Sequence, residues 1–248
     1  MKRSMVRLCM AAVMVCTAFA AWACNGFSLS LSFVVPKQVV DTKTQSAAMP
    51  AAAGLIIENG SGSTRVVVDP AATQATIQIT RVALAETLEE ANDLLDDIVV
   101  TVDEPDGADN NLRIIAPTPP GVTDSAGDFQ FDLEDDELIV TGILSARRVA
   151  LVRLKITIPP VHAVLVTQGN GPVRGDGIDA DSSLSANNGE VRVFNAKAKL
   201  TLRTENGRIE DRSHTGMLDA VANNGPIEVV GMMGSALLRT INGRIQLD

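Results

Sequence analysis

The stretch that decides the fold runs from Asn170 to Asp248. Asn170-Gly171-Pro172-Val173 returns as Asn188-Gly189-Glu190-Val191, Asn206-Gly207-Arg208-Ile209, Asn224-Gly225-Pro226-Ile227 and Asn242-Gly243-Arg244-Ile245. Each step is 18 residues, with no slip over five occurrences. A second column, Leu184, Leu202, Ala220 and Leu238, lies thirteen residues after the first four glycines. Two other Asn-Gly pairs, at Asn25 and Asn59, are out of phase, so dipeptide, phase and aliphatic column carry the signal together. A fixed period of this kind marks a repeat architecture.

The period has a direct physical reading. Eighteen residues hold two strands of about five residues and two turns, each strand lying ~4.8 Å from its equivalent in the next coil. Glycine permits a positive φ at a sharp corner, and Asn tolerates it while bonding its own backbone. Stacked asparagines can then form a ladder along one corner. The aliphatic columns point inward and bury one another, at roughly 1.5–3 kcal/mol per fully buried Val, Ile or Leu. One coil cannot hide its own face, so several are required.

Two other repeat geometries fit the period less well. A triangular left-handed helix needs an aliphatic every sixth residue, but Asp179 and Ser185 follow Val173, and Lys197 and Arg203 follow Val191. A stack of hairpins would also use Asn-Gly, yet the constant period favours parallel stacking. The expected fold is therefore mainly all-β: a flattened right-handed parallel β-solenoid with 18-residue coils, the hand favoured by parallel crossovers. Outward positions put Arg192 beside Glu210 and Glu190 beside Arg208, pairs that fix register more than they stabilise.

Upstream, Phe27, Leu29, Leu31 and Phe33 alternate with serines, and Pro36 to Ala53 reads as a linker rich in small and polar residues. Strands are expected at Gly54–Glu58 and Thr64–Asp69, joined through Asn59–Ser63, and then at Ala75–Leu84. Leu84, Leu88, Ala91, Leu95 and Ile98 recur at three and four, the single helical pattern. Further strands are expected at Ile98–Asp103, Leu112–Ala116, Leu138–Gly142 and Val149–Ile158. The division expected is a leader over residues 1–23, a segment and linker over 24–53, a β-rich cap with one short helix over 54–160, and the repeats over 161–248. Two acidic loops, Asp103–Asn111 and Asp124–Glu137, invite calcium but lack the turn glycine of a calcium loop, so solvated loops are expected.

The first 23 residues read as a secretion signal: Lys2, Arg3 and Arg7, then an uncharged apolar run from Leu8 to Ala23 that is short for a membrane span. Cysteines stand only at Cys9, Cys16 and Cys24. Ala21-Trp22-Ala23-Cys24 resembles a lipoprotein cleavage box, which would make Cys24 an acylated N-terminus; ordinary cleavage near Ala20 or Ala23 is the alternative. Residues 24–160 carry 20 acidic and 9 basic side chains, and residues 161–248 carry 10 and 9. That distribution lacks the basic footprint of a nucleic-acid binder. The chain has no Tyr, and its one Trp lies in the leader, which counts against an aromatic sugar cleft.

The order of Ile56-Ile57-Glu58-Asn59-Gly60, the Glu-rich helix before Ile98-Val99-Val100-Thr101-Val102, Ile156-Thr157-Ile158-Pro159 and the serial Asn-Gly coils resembles a bacterial envelope family of adhesin-like proteins. That family is related to auto-transporter head domains named for a Gly-Ile-Asn motif. The resemblance spans Gly54–Asp248. It implies a right-handed β-solenoid that is exported or lipid-anchored, with no catalytic or binding residues to carry over. A non-enzymatic binding module or scaffold in the cell envelope is expected, probing an unidentified surface ligand. The rivals are a polysaccharide-active β-helix enzyme and an envelope-stress sensor. An enzyme would need paired acids across a sugar; His162 and His214 stand singly, and His214 reads as a surface-turn residue. No catalytic, cofactor or metal-ligating residue is assigned. Arg244–Asp248 reads as an open strand edge, for which self-pairing in a two-fold dimer or cover by a partner is expected.

Overall fold

The computed structural model describes residues 37–50, 53–106, 110–122, 129–131, 138–140, 148–160 and 163–248. The repeat writes itself into strand pairing. Five strands, β9 (Val164–Asn170), β11 (Ser182–Asn188), β13 (Leu200–Asn206), β15 (Thr215–Asn224) and β17 (Met233–Asn242), form one parallel ladder, sheet B. Five more, β10 (Val173–Asp176), β12 (Val191–Phe194), β14 (Ile209–Arg212), β16 (Ile227–Val230) and β18 (Ile245–Leu247), form a second, sheet A. In both, each residue faces the one 18 positions on, as in Leu184↔Leu202↔Ala220↔Leu238 and Val173↔Val191↔Ile209↔Ile227↔Ile245.

One strand joins the ladders. β2 (Gly54–Val68) pairs β9 through its first half and β10 through its second. The path β17-β15-β13-β11-β9-β2-β10-β12-β14-β16-β18 is thus eleven parallel strands doubling back at β2, a nearly closed, barrel-like sheet. Between its two arms lie the aliphatic columns, with Val173, Leu184, Val191, Leu202, Ile209 and Ile227 all fully buried.

On the other side of β2 the chain closes the stack. β5 (Asn111–Ala116) continues sheet B in parallel and is edged by antiparallel β4 (Thr101–Asp103). β8 (Arg148–Ile158) continues sheet A in parallel and is followed by antiparallel β3 (Ala75–Ala85) and β1 (Lys37–Ala47). β6 (Phe129–Phe131) and β7 (Leu138–Val140) pair with each other alone. The helix α1 (Leu88–Asp97) begins at a capping box, Thr87 with Glu90, which satisfies two orphan amide donors. It buries Ala91, Leu94 and Leu95. Leu88, expected on that face, is exposed, and Leu94 is buried instead. Arg81 holds the other end, donating to the carbonyls of Leu95 and Ile98 at 3.3 and 3.1 Å while pairing Asp41 at 2.6 Å.

Several sequence expectations are corrected. Lys37–Ala47, read as linker, is the edge strand β1: only one of its faces meets protein, so its polar composition hid it, and the Asp41–Arg81 pair fixes its register. Asn59–Ser63 is no loop; β2 passes through it, and Ser61 takes the corner position facing Asn170. A buried network replaces the asparagine ladder there. Thr64 Oγ1 donates to Gln168 Oε1 at 2.8 Å, and Asn59 Nδ2 to the Val152 carbonyl at 3.0 Å. In the strand order β2 stands between β9 and β10, the first strands of the two ladders.

Candidate functional site

The Asn-Gly corner is a continuous hydrogen-bonded spine. Asn188 Nδ2 donates to Asn170 Oδ1 at 2.7 Å, and the same bond recurs at Asn206→Asn188, Asn224→Asn206 and Asn242→Asn224 at 2.8, 2.9 and 2.8 Å. The corner amides continue it, Gly189 N–H reaching the Asn206 carbonyl at 2.9 Å. Positive φ, the expected reason for glycine, holds at Gly171 and Gly225, with φ of 118° and 155°, but not at Gly207. A Cβ there would lie 2.0 Å from the Gly189 carbonyl oxygen, so close approach of successive corners excludes a side chain. The left-handed column is the opposite corner: Gly177, Asn195, Ser213 and Gly231 have φ of 72°, 57°, 61° and 68°. Only two of those four are glycine, which hid that corner from the sequence.

Sheet A turns a charged column outward. Its register aligns Lys155, Arg65, Arg174 and Arg192, then Glu210, Glu228 and Gln246. Cations thus occupy one end of the stripe and carboxylates the other. Where they meet, Arg192 lies 3.4 Å from Glu210 and 2.9 Å from Glu190. Arg212 lies 2.5 Å from Glu210, and Arg208 pairs Glu228 and stands 4.0 Å from Glu190. Arg174 packs its guanidinium 4.6 Å from the Phe194 ring centre, a cation–π contact. The cationic run was invisible in sequence because Lys155 and Arg65 join it only through the pairing of β8, β2 and β10.

His214 is not a surface-turn residue: it is fully buried. Its Nε2 lies 2.9 Å from the Ala198 carbonyl, which can only accept, so Nε2 carries a hydrogen. Its Nδ1 lies 2.8 Å from Asp211 Oδ2, and Asp211 is equally buried. One proton is therefore shared between imidazole and carboxyl. Burial pushes the Asp211 carboxyl above its ordinary value, with the charge and hydrogen bond of His214 acting the other way. Asp211 Oδ1 has no hydrogen-bond partner. An acid–base pair sealed beneath a sheet touches no solvent and offers a substrate nothing.

Cys24 and His162 lie outside the described residues, as does most of the Asp124–Glu137 loop. Among the described residues no group of three or more His, Cys, Asp or Glu is placed to hold a metal. No described helix is long and apolar enough to cross a membrane.

No family model and no curated protein matches the chain. Solved structures similar to it include a proposed cell adhesion protein from Clostridium sporogenes, at 10% identity and TM-score 0.40, covering 86% of this chain and 99% of that one. A proposed adhesin from Parabacteroides merdae is 8% identical, with TM-score 0.23, covering 84% and 96%. A proposed lipid-binding protein from Parabacteroides distasonis is 9% identical, with TM-score 0.22, covering 84% and 97%.

Proposed function

We propose that the chain is a non-enzymatic binding module or scaffold of the cell envelope, exported by residues 1–23 and anchored through Cys24. Its strands form a short right-handed β-solenoid of 18-residue coils. The observation that carries this reading is the charge-sorted outer column of sheet A, from Lys155, Arg65, Arg174 and Arg192 to Glu210 and Glu228. Solenoids present such columns as extended, regularly spaced binding surfaces. Support also comes from the His214–Asp211 pair, which is locked in the core. The test is a glycan and matrix-protein array probed with the purified chain. Saturable binding that falls with Arg65→Glu, at unchanged melting temperature, is expected. Turnover of a polysaccharide, with no such binding, would overturn it in favour of the enzyme.

A further inference from the structure

Sheet A carries one row across six strands. The pairing sets Thr44 of β1 level with Gln78 of β3, and Gln78 level with Lys155 of β8. Lys155 is level with Arg65 of β2, Arg65 with Arg174 of β10, and Arg174 with Arg192 of β12. Thr44 and Gln78 are exposed, and the four cations are partly buried. Their neighbours along the strands, among them Ile77, Ile156, Val66 and Val173, are buried, so the row lies on the outer face. Successive members stand ~4.8 Å apart, and the cationic part covers about 14 Å.

A run of like charges works against the fold, because like charges directly opposite one another on a sheet are destabilising. At the other end of the column Glu210 and Glu228 are interleaved with Arg208 and Arg212. Around the cationic end, among the described residues, Asp176 lies 4.0 Å from Arg174 and Glu190 2.9 Å from Arg192, while Arg153 adds a further cation on β8. Cations still outnumber carboxylates there, in a chain whose net charge is −9.

We infer that this row binds a linear anionic polysaccharide lying across the strands, an inference that rests on the binding-module reading above and names its ligand class. Carboxylate or sulfate groups along such a chain meet Lys155, Arg65, Arg174 and Arg192 in charge-assisted hydrogen bonds, for which the planar guanidinium is well suited. Thr44 and Gln78 extend the row with a hydroxyl and an amide, which match sugar hydroxyls as donors and acceptors. The Phe194 ring beside the row packs against the Arg174 guanidinium. It is not offered as a stacking platform, which sets a nucleic-acid strand aside. A lipid surface would call for apolar side chains beside the cations, where the row supplies Thr44 and Gln78.

The test is binding of the purified chain to immobilised dextran sulfate, polygalacturonate and uncharged dextran. At least one polyanion should bind, dextran should not, and added salt should weaken the binding by screening it. Arg65→Gln and Arg174→Gln should each weaken it about tenfold, the loss expected for a hydrogen bond to a charged group. Arg203→Gln, in sheet B and exposed, should leave it unchanged. Arg65→Gln should also hold or raise the melting temperature, since it removes a cation from between two others; weaker binding is then not unfolding. Binding of neither polyanion, undiminished binding by Arg65→Gln, or equal capture by single-stranded DNA or anionic phospholipid vesicles would overturn the polysaccharide. Saturable binding of an uncharged glycan or a matrix protein in place of the polyanions would keep the binding module and discard the anionic ligand. Turnover of a polysaccharide without saturable binding would discard both.

Discussion

Asp211 stands level with Val193 on one side and Val229 on the other, in an inward column of sheet A. Three residues on, His214 occupies the place that Ala196 and Met232 hold in the flanking sequence repeats, 18 residues away. One repeat has therefore exchanged two apolar positions for one hydrogen-bonded pair.

The exchange can be reversed. His214→Met alone leaves a buried carboxylate without its partner, which typically costs 3–5 kcal/mol, about what breaking a buried pair costs. Asp211→Val with His214→Met removes both and restores the pattern of the neighbouring repeats. Denaturant unfolding should find the double variant near the parent and well above the single one. Additive losses would mean that the two residues do not act as a pair.

The same pair sets a pH dependence. The Asp211 carboxyl is raised from 3.8, chiefly by burial, so its protonated form is favoured by folding. That contribution is full below pH 3.8 and is lost as pH rises through the folded value. Asp211→Asn can donate to His214 Nδ1 without carrying charge. Its melting temperature relative to the parent should therefore climb as pH rises from 3.8 toward neutrality. A difference constant with pH would refute the shift.

Gly207 tests the corner. Gly207→Ala puts a methyl against the Gly189 carbonyl oxygen and the Thr204 hydroxyl, and should cost about 1–3 kcal/mol through overpacking. Ile209→Asp, which buries an unpaired charge at a fully buried position, should cost more. Thermal melts rank the two.

Ser213 predicts a gain. At φ 61° it holds a left-handed conformation where the sequence repeat two steps earlier and the one that follows use Gly177 and Gly231. Ser213→Gly should relieve about 1 kcal/mol, since a side chain there costs roughly 1–2 kcal/mol. An unchanged or lowered melting temperature would deny the strain.

Anchoring is read by fractionation. Cys24→Ser should move the chain from the membrane fraction to the soluble one, provided the lipid holds it. Equal retention of parent and variant would remove the anchor.

By itself the sequence determined whatever repeats at constant phase. The 18-residue step, the Asn170–Asn242 spine, the aliphatic columns and the Arg192–Glu210 neighbours follow from period alone, because in stacked parallel strands the sequence interval is the spatial neighbour. The helix was legible too, from spacing and a local cap. Tertiary structure decided everything that pairs across unequal intervals. Only the pairing of β2 with β8 and β10 places Lys155 and Arg65 in the stripe with Arg174, and only Arg81 opposite Asp41 shows that Lys37–Ala47 is a strand. Gly207 looked the same in sequence whether it served φ or space; the Gly189 carbonyl pressing on it distinguishes them. His214 looked solitary because its partners, Asp211 and the Ala198 carbonyl, come from the preceding strand β14 and from the preceding sequence repeat, and meet it only in the folded chain.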